Sequence, residues 1–208
     1  MGERKMKKSG FTLVEMLVVI GIIAILAASS MVGYSRVIKS ARKAKNQELV
    51  ANVAAALTHI LNKEGMWPEA LRNGAAGGAG QLDKDVAKVF IRYNLLGLSY
   101  NQKTSSDGSY ILRGKDRCGI VDAEAEAVLK RSNNSGESAK VPSGGTVRDH
   151  ILYYAIDEDG DGITKTQSFG DIRASAVVWS AGPDGKVEYE FRGRNDDVYS
   201  WRPTQVVK

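Results

Sequence analysis

The chain has 208 residues, 43% hydrophobic and 25% charged, a length that suits one globular domain carried on a long helix. Its formal net charge of +5 is concentrated at the start, where Arg4, Lys5, Lys7 and Lys8 stand against Glu3, a net +3 that leaves 5 − 3 = +2 for residues 11–208. That near-neutral remainder, with one basic run from Arg36 to Lys45 and no base-stacking aromatic pattern, excludes nucleic acid as a partner; a single cysteine, Cys118, excludes an intramolecular disulfide and reads as a small buried apolar group.

Taken in order, the basic opening ends at Gly10, and Phe11 to Val32 follows as an apolar run with one charge, Glu15. Such a run is long enough to span a bilayer, which needs about 20 apolar residues. A carboxylate inside a span costs roughly 2.5–3.5 kcal/mol at the centre and less near an end, so Glu15 demands a cationic partner. Positive flanks stay cytoplasmic, which places the rest of the chain outside.

Gly10-Phe11-Thr12-Leu13-Val14-Glu15 resembles the processing site of type IV prepilins and type II secretion pseudopilins. The resemblance implies a cut between Gly10 and Phe11 by a membrane prepilin peptidase, N-methylation of Phe11, and a Glu15 that faces the N-terminal amine of a neighbouring subunit during assembly. It implies further partners: other pseudopilins in a homo- or hetero-oligomeric filament, an inner-membrane assembly platform and a secretion ATPase. The implied location is the inner membrane, single pass, with the C-terminal domain in the periplasm and later in the pseudopilus. Physics agrees with the assembly role, because a buried charge is tolerable when paired and strongly unfavourable when not. A secretory signal peptide cut near Ala27-Ala28-Ser29 and an unprocessed anchor are the competing readings; an acid within an over-long apolar run counts against the first. Many family members carry a proline where this chain has Val32, which weakens any inference about proline-linked helix melting.

Three segments follow from this reading: a leader at 1–10, a transmembrane and assembly helix at 11–33, and a periplasmic pilin-like domain at 34–208. Beyond the run, Tyr34, Ile38, Ala41, Leu49, Val53, Ala56, Leu57, Ile60 and Leu61 recur at spacings of three and four, so the helix continues until Gly65 and Trp67-Pro68 stop it. From Phe11 to Glu64 such a helix would be about 80 Å long. A glycine-rich loop at 73–80 is expected next, then a helix over Asp83–Leu96 with Gly97 as its cap, a strand over Ser109–Arg113 after an Asp107-Gly108 turn, a helix over Asp122–Arg131, and a polar segment over 132–145 that is either a surface loop or partly disordered. His150–Ile156, Ala174–Trp179 and Val187–Phe191 are rich in β-branched and aromatic residues and read as strands. The expected fold is α+β: a long N-terminal helix, transmembrane then amphipathic, its distal half packed against a three- or four-stranded antiparallel sheet in a pilin-like lollipop.

Two acidic loops are candidate calcium sites. Asp157, Asp159 and Asp161, with Gly162 after them, space acids as the opening of a calcium loop does. The twelfth position is Ser168 and not Glu, so a complete EF-hand is not expected, and a solvated acidic turn is the alternative. The second loop, Trp179-Ser180-Ala181-Gly182-Pro183-Asp184-Gly185 closed by Asn195-Asp196-Asp197, resembles the C-terminal calcium loop of the major pseudopilin of type II secretion. The resemblance implies Asp184, Asp196 and Asp197 as carboxylate ligands, with Ser180 or main-chain carbonyls completing the shell; a β-hairpin with surface acids is the alternative. No nucleophile elbow, phosphate loop or zinc motif occurs, and His59 and His150 have no evident reason to meet, so no enzyme is expected. The function these features imply is a structural subunit of a type II secretion pseudopilus. A type IV or minor pilin, or a membrane-anchored calcium-binding module that never polymerises, are the alternatives.

Overall fold

A computed structural model describes residues 11–98, 100–101, 111–131, 136–188 and 196–207. The chain forms two compact units divided between Ala41 and Arg42. Helix α1, Leu13–Glu64, supplies the described structure of the first unit and enters the second. Gly65, at φ +71°, ends it where glycine and Trp67-Pro68 were expected to.

In the first unit most of the described apolar side chains of α1 are exposed, Leu13 at 82%, as is Phe11 ahead of the helix at 74%, while Ile38 is half-buried. Among the described residues no helix is long and apolar enough to cross a membrane; the side chains of residues 29–33, the first four of which belong to the apolar run read from the sequence, lie outside them.

In the second unit, Val50, Val53, Ala56, Leu57 and Ile60 of α1 form one wall of the main core. Their spacing of three and four is the helical stripe that the sequence carries. Opposite lies a four-stranded antiparallel sheet, in the order β1 (Gly80–Gln81), β4 (Tyr153–Ile156), β7 (Ala176–Ser180), β8 (Val198–Tyr199). Alternation sorts its side chains: Tyr154, Ile156 and Val178 join the main core, while Ala155, Val177 and Trp179 turn to a second core with Phe169, Ile172 and Trp201. That second face is covered by a hairpin of β5 (Thr164–Thr166) and β6 (Gly170–Ile172) and by the C-terminal segment, where Ile172 bridges Val206. Burial on both faces explains why β7 is buried at all five positions.

The remaining elements are α2 (Glu69–Gly74), α3 (Lys84–Arg92), the pair β2 (Tyr100–Asn101) and β3 (Ile111–Leu112), and α4 (Ala123–Arg131). Helix α3 starts where Asp83 caps Asp85 N and Val86 N, but stops four residues short of Leu96. Asn94 adopts φ 54°, and the bonds Asn94 N to Ile91 O and Leu95 N to Phe90 O close the helix ahead of Gly97. The expected loop at 73–80 contains the end of α2 and the start of β1, drawn so close that a Cβ on Gly80 would lie 2.0 Å from Gly74 O. The described part of the expected loop at 132–145 is ordered, with Val141 buried and Val147 N bonded to Ala139 O. His150 ends a 3-10 turn, Val147–His150, so the strand begins at Tyr153. The expected strand at 187–191 is not formed at Val187 and Glu188, its other residues lie outside the described ones, and β8 takes the place beside β7. The Asp107-Gly108 turn also lies outside the described residues.

Candidate functional site

The N-terminus of α1 is built by four residues. Thr12 precedes the first helical residue, and its N–H and its hydroxyl both donate to Glu15 Oε2 at 2.8 Å. Glu15 N–H returns a bond to Thr12 Oγ1 at 3.3 Å. This reciprocal pair is a capping box, the Thr-x-x-Glu spacing that satisfies amides at the start of a helix. The Glu15 carboxylate is therefore held by its own chain, through the Thr12 that follows an exposed Phe11, and both bonds fall on one oxygen. Among the described residues Oε1 accepts no hydrogen bond, and it can take one from an incoming ammonium group. Gly10 lies outside the described residues.

The first acidic loop gathers Asp157, Asp159 and Asp161, with one carboxylate oxygen of each within 4.8 Å of the others. The chain satisfies much of this loop itself. Asp157 is buried and accepts from Gly160 N and Gly162 N, both at 2.8 Å, and Asp161 Oδ1 accepts from Ile163 N at 2.8 Å. Lys165 Nζ lies 2.5 Å from Asp159 Oδ2 and 3.4 Å from Asp161 Oδ2, so an ammonium group already sits against these carboxylates. Lys165 holds the Asp159 carboxyl below its ordinary range. The loop is anchored to the turn after α1 by Trp67 Nε1, which donates to Asp157 O at 2.5 Å.

In the second loop Asp184 acts on Asp196 and Asp196 on Asp197 through their charges, but among the described residues only the acids of the first loop bring three carboxylates within 4.8 Å of one another. Gly182 and Gly185 adopt φ +63° and +72°, which only glycine does readily, and Asp196 lies against Gly182, where a Cβ would meet Asp196 Oδ1 at 3.0 Å. Burial raises the Asp196 carboxyl, and the charge of Asp184 adds to this while Lys43 opposes it. Burial pushes Asp197 up to about 6, although Glu188 N–H and the Tyr199 hydroxyl donate to its Oδ2 at 2.7 and 3.0 Å. Partly buried acids that raise one another suit a cation. Ser180 faces elsewhere: its hydroxyl points to Asp122 Oδ2 at 3.4 Å.

A buried polar group under this loop escapes a reading by sequence proximity. Asp122 and His150, 0% and 1% exposed, are 28 residues apart, yet Asp122 Oδ2 lies 2.8 Å from His150 Nδ1. His150 Nε2 lies 2.9 Å from Gly144 O, so both ring nitrogens face acceptors, which fits an imidazolium. Burial works against that charge; the hydrogen bond and charge of Asp122, followed by Gly144 O, outweigh it and raise the ring above its ordinary value. Asp122 Oδ1 also caps α4 through Glu124 N and Ala125 N. Ser180 approaches the aspartate and not the imidazole, so the order of groups is not that of a nucleophile relay. The signal available was the isolated Asp122 at a helix start, a position that favours capping. Cys118 is buried, and burial pushes its thiol up, as expected of an inert packing group.

Residues 5–31 match the prokaryotic N-terminal methylation motif. The motif covers Gly10, Phe11 and Glu15 and marks a type IV pilin-like or pseudopilin precursor of the kind processed by prepilin peptidase. No curated protein and no solved structure matches the chain significantly.

Proposed function

We propose that the chain is a structural subunit of a type II secretion pseudopilus, cut after Gly10, methylated on Phe11 and polymerised through α1, and that it is not an enzyme. The observation that carries the polymer role is the N-terminal methylation motif joined to a Glu15 whose carboxylate is held at the helix start with one oxygen open. Once processed, each copy would carry a terminal ammonium next to Thr12, the cation that a carboxylate leaving water requires. In the inner membrane the Thr12 capping bonds would lessen the cost of the lone acid. In the filament the neighbour's amine would take its place at Oε1 and set the stagger between copies. The assembly platform and a secretion ATPase would extract the subunit, with the C-terminal domain in the periplasm.

The second loop favours export over surface display. Its Trp179 to Asp197 pattern resembles the loop of the major pseudopilin, and the charge of Asp184 acting on Asp196 supports this reading. Calcium held there by Asp184 and Asp196, with loop carbonyls, would neutralise acids that otherwise repel and would stiffen the distal end of the domain. A type IV or minor pilin for adhesion or motility is the second reading, since the same motif serves both filament classes. Deletion of the gene separates them: export of secreted enzymes through the outer membrane should stop while surface piliation and twitching persist, and the reverse pattern would favour the pilin.

A further inference from the structure

We propose that Tyr34, Arg36 and Lys39 form an interfacial anchor that binds the headgroups of anionic phospholipids; this rests on the reading of the apolar run as membrane-embedded. In residues 11–41 the charged side chains are Glu15 at one end and Arg36 and Lys39 at the other. Arg36 and Lys39 are exposed, and neither makes an ion pair among the described residues. Tyr34, 70% exposed, sits just past the apolar run, where an amphipathic ring suits a membrane interface.

Depth decides the occupant. The polar layer of a bilayer is about 5–8 Å thick on each side of the hydrocarbon. Counting from Val32 at 1.5 Å per residue puts Arg36 about 6 Å and Lys39 about 10 Å along the helix. Arg36 therefore falls within the headgroup layer, and Lys39 reaches back to it with its long stem. The next two cations that the head engages behave differently: Arg42 is paired with buried Glu124, and Lys45 lies 2.5 Å from buried Glu126. The protein itself neutralises that pair, whereas Arg36 and Lys39 present their charges to phosphate. Each basic group near an anionic surface is worth roughly a fivefold preference at low salt.

The test uses the full-length chain reconstituted in vesicles of equal parts phosphatidylglycerol and phosphatidylcholine, with a spin-labelled lipid of each kind. The expected result is a several-fold preference for the phosphatidylglycerol probe that falls in high salt. It should be reduced by Arg36→Gln and nearly lost in Arg36→Gln with Lys39→Gln. Equal association of both probes with the parent chain would overturn the proposal. So would a preference unchanged by the double substitution, or a substitution that abolishes cross-linking between copies without altering lipid preference. Failure of the chain to enter vesicles of either lipid would remove the membrane reading itself, a separate and recognisable outcome.

Discussion

At the scale of the residue, the polar groups that matter are held by partners of their own chain. Glu15 reads from the sequence as a charge awaiting a cation, yet Thr12, three positions earlier, already binds it. The Thr-x-x-Glu spacing was legible as a capping box; the demand for a counter-charge from another molecule obscured it. His150 was not legible, because its partner Asp122 arrives from a helix start 28 residues earlier and only the fold joins them. The consequence can be measured. The ring is raised above its ordinary 6.5, so its contribution to stability is complete below about that pH and is lost as pH rises through the higher folded value. The melting temperature of the detergent-solubilised chain should therefore fall on the alkaline side. His150→Gln should remove that dependence and cost about 3–5 kcal/mol, since Asp122 would remain buried with its charge uncompensated. A parent chain whose melting is flat from about pH 6 upward would remove the imidazolium from this account.

At the scale of the element, long periodic segments were legible and short paired ones were not. The stripe from Val50 to Ile60 and the caps at Asp83 and Asp122 state helices in local terms, and α1, α3 and α4 follow them. Strands β1 and β8 have two residues each, too few to show alternation, and exist because β4 and β7 offer edges to pair with. The helix expected to reach Leu96 is shorter because Tyr93 and Leu96 prolong the apolar pattern of α3, while the left-handed turn at Asn94 ends it. The two acidic loops look alike in composition and differ in their local partners. Lys165 lies against Asp159 and Asp161, whereas Asp196 and Asp197 are raised by burial and by neighbouring acids. Calcium should thus raise the melting temperature chiefly through the second loop. Asp184→Asn should remove most of the shift, and Asp159→Asn should leave most of it. Protons compete with the ion at carboxyls whose values are raised, so the shift should be larger at about pH 7 than at about pH 5. No response to calcium or chelator in the parent chain would contradict calcium at either loop.

At the scale of the whole molecule, the two units divide the work in the proposed account. Residues 11–41 carry the assembly helix, with Glu15 at its start and Tyr34, Arg36 and Lys39 at its far end. Residues 42–208 carry the sheet, its two cores and the distal loop. Arg42 and Lys45 secure α4 through Glu124 and Glu126; burial works against the Glu126 charge, but Lys130 and Lys45 hold its carboxyl below the usual range. These ion pairs join α1 to α4 beside the apolar stripe by which α1 walls the domain core. The claim on which the rest depends is that Glu15 meets a neighbouring subunit's terminal amine. Cysteines introduced at neighbouring exposed positions of α1, in the parent chain and with Glu15→Ala, test it by cross-linking between processed subunits in cells. The account predicts a cross-linked ladder in the parent and its loss in Glu15→Ala, with cleavage after Gly10 intact in both; an undiminished ladder in Glu15→Ala would contradict it.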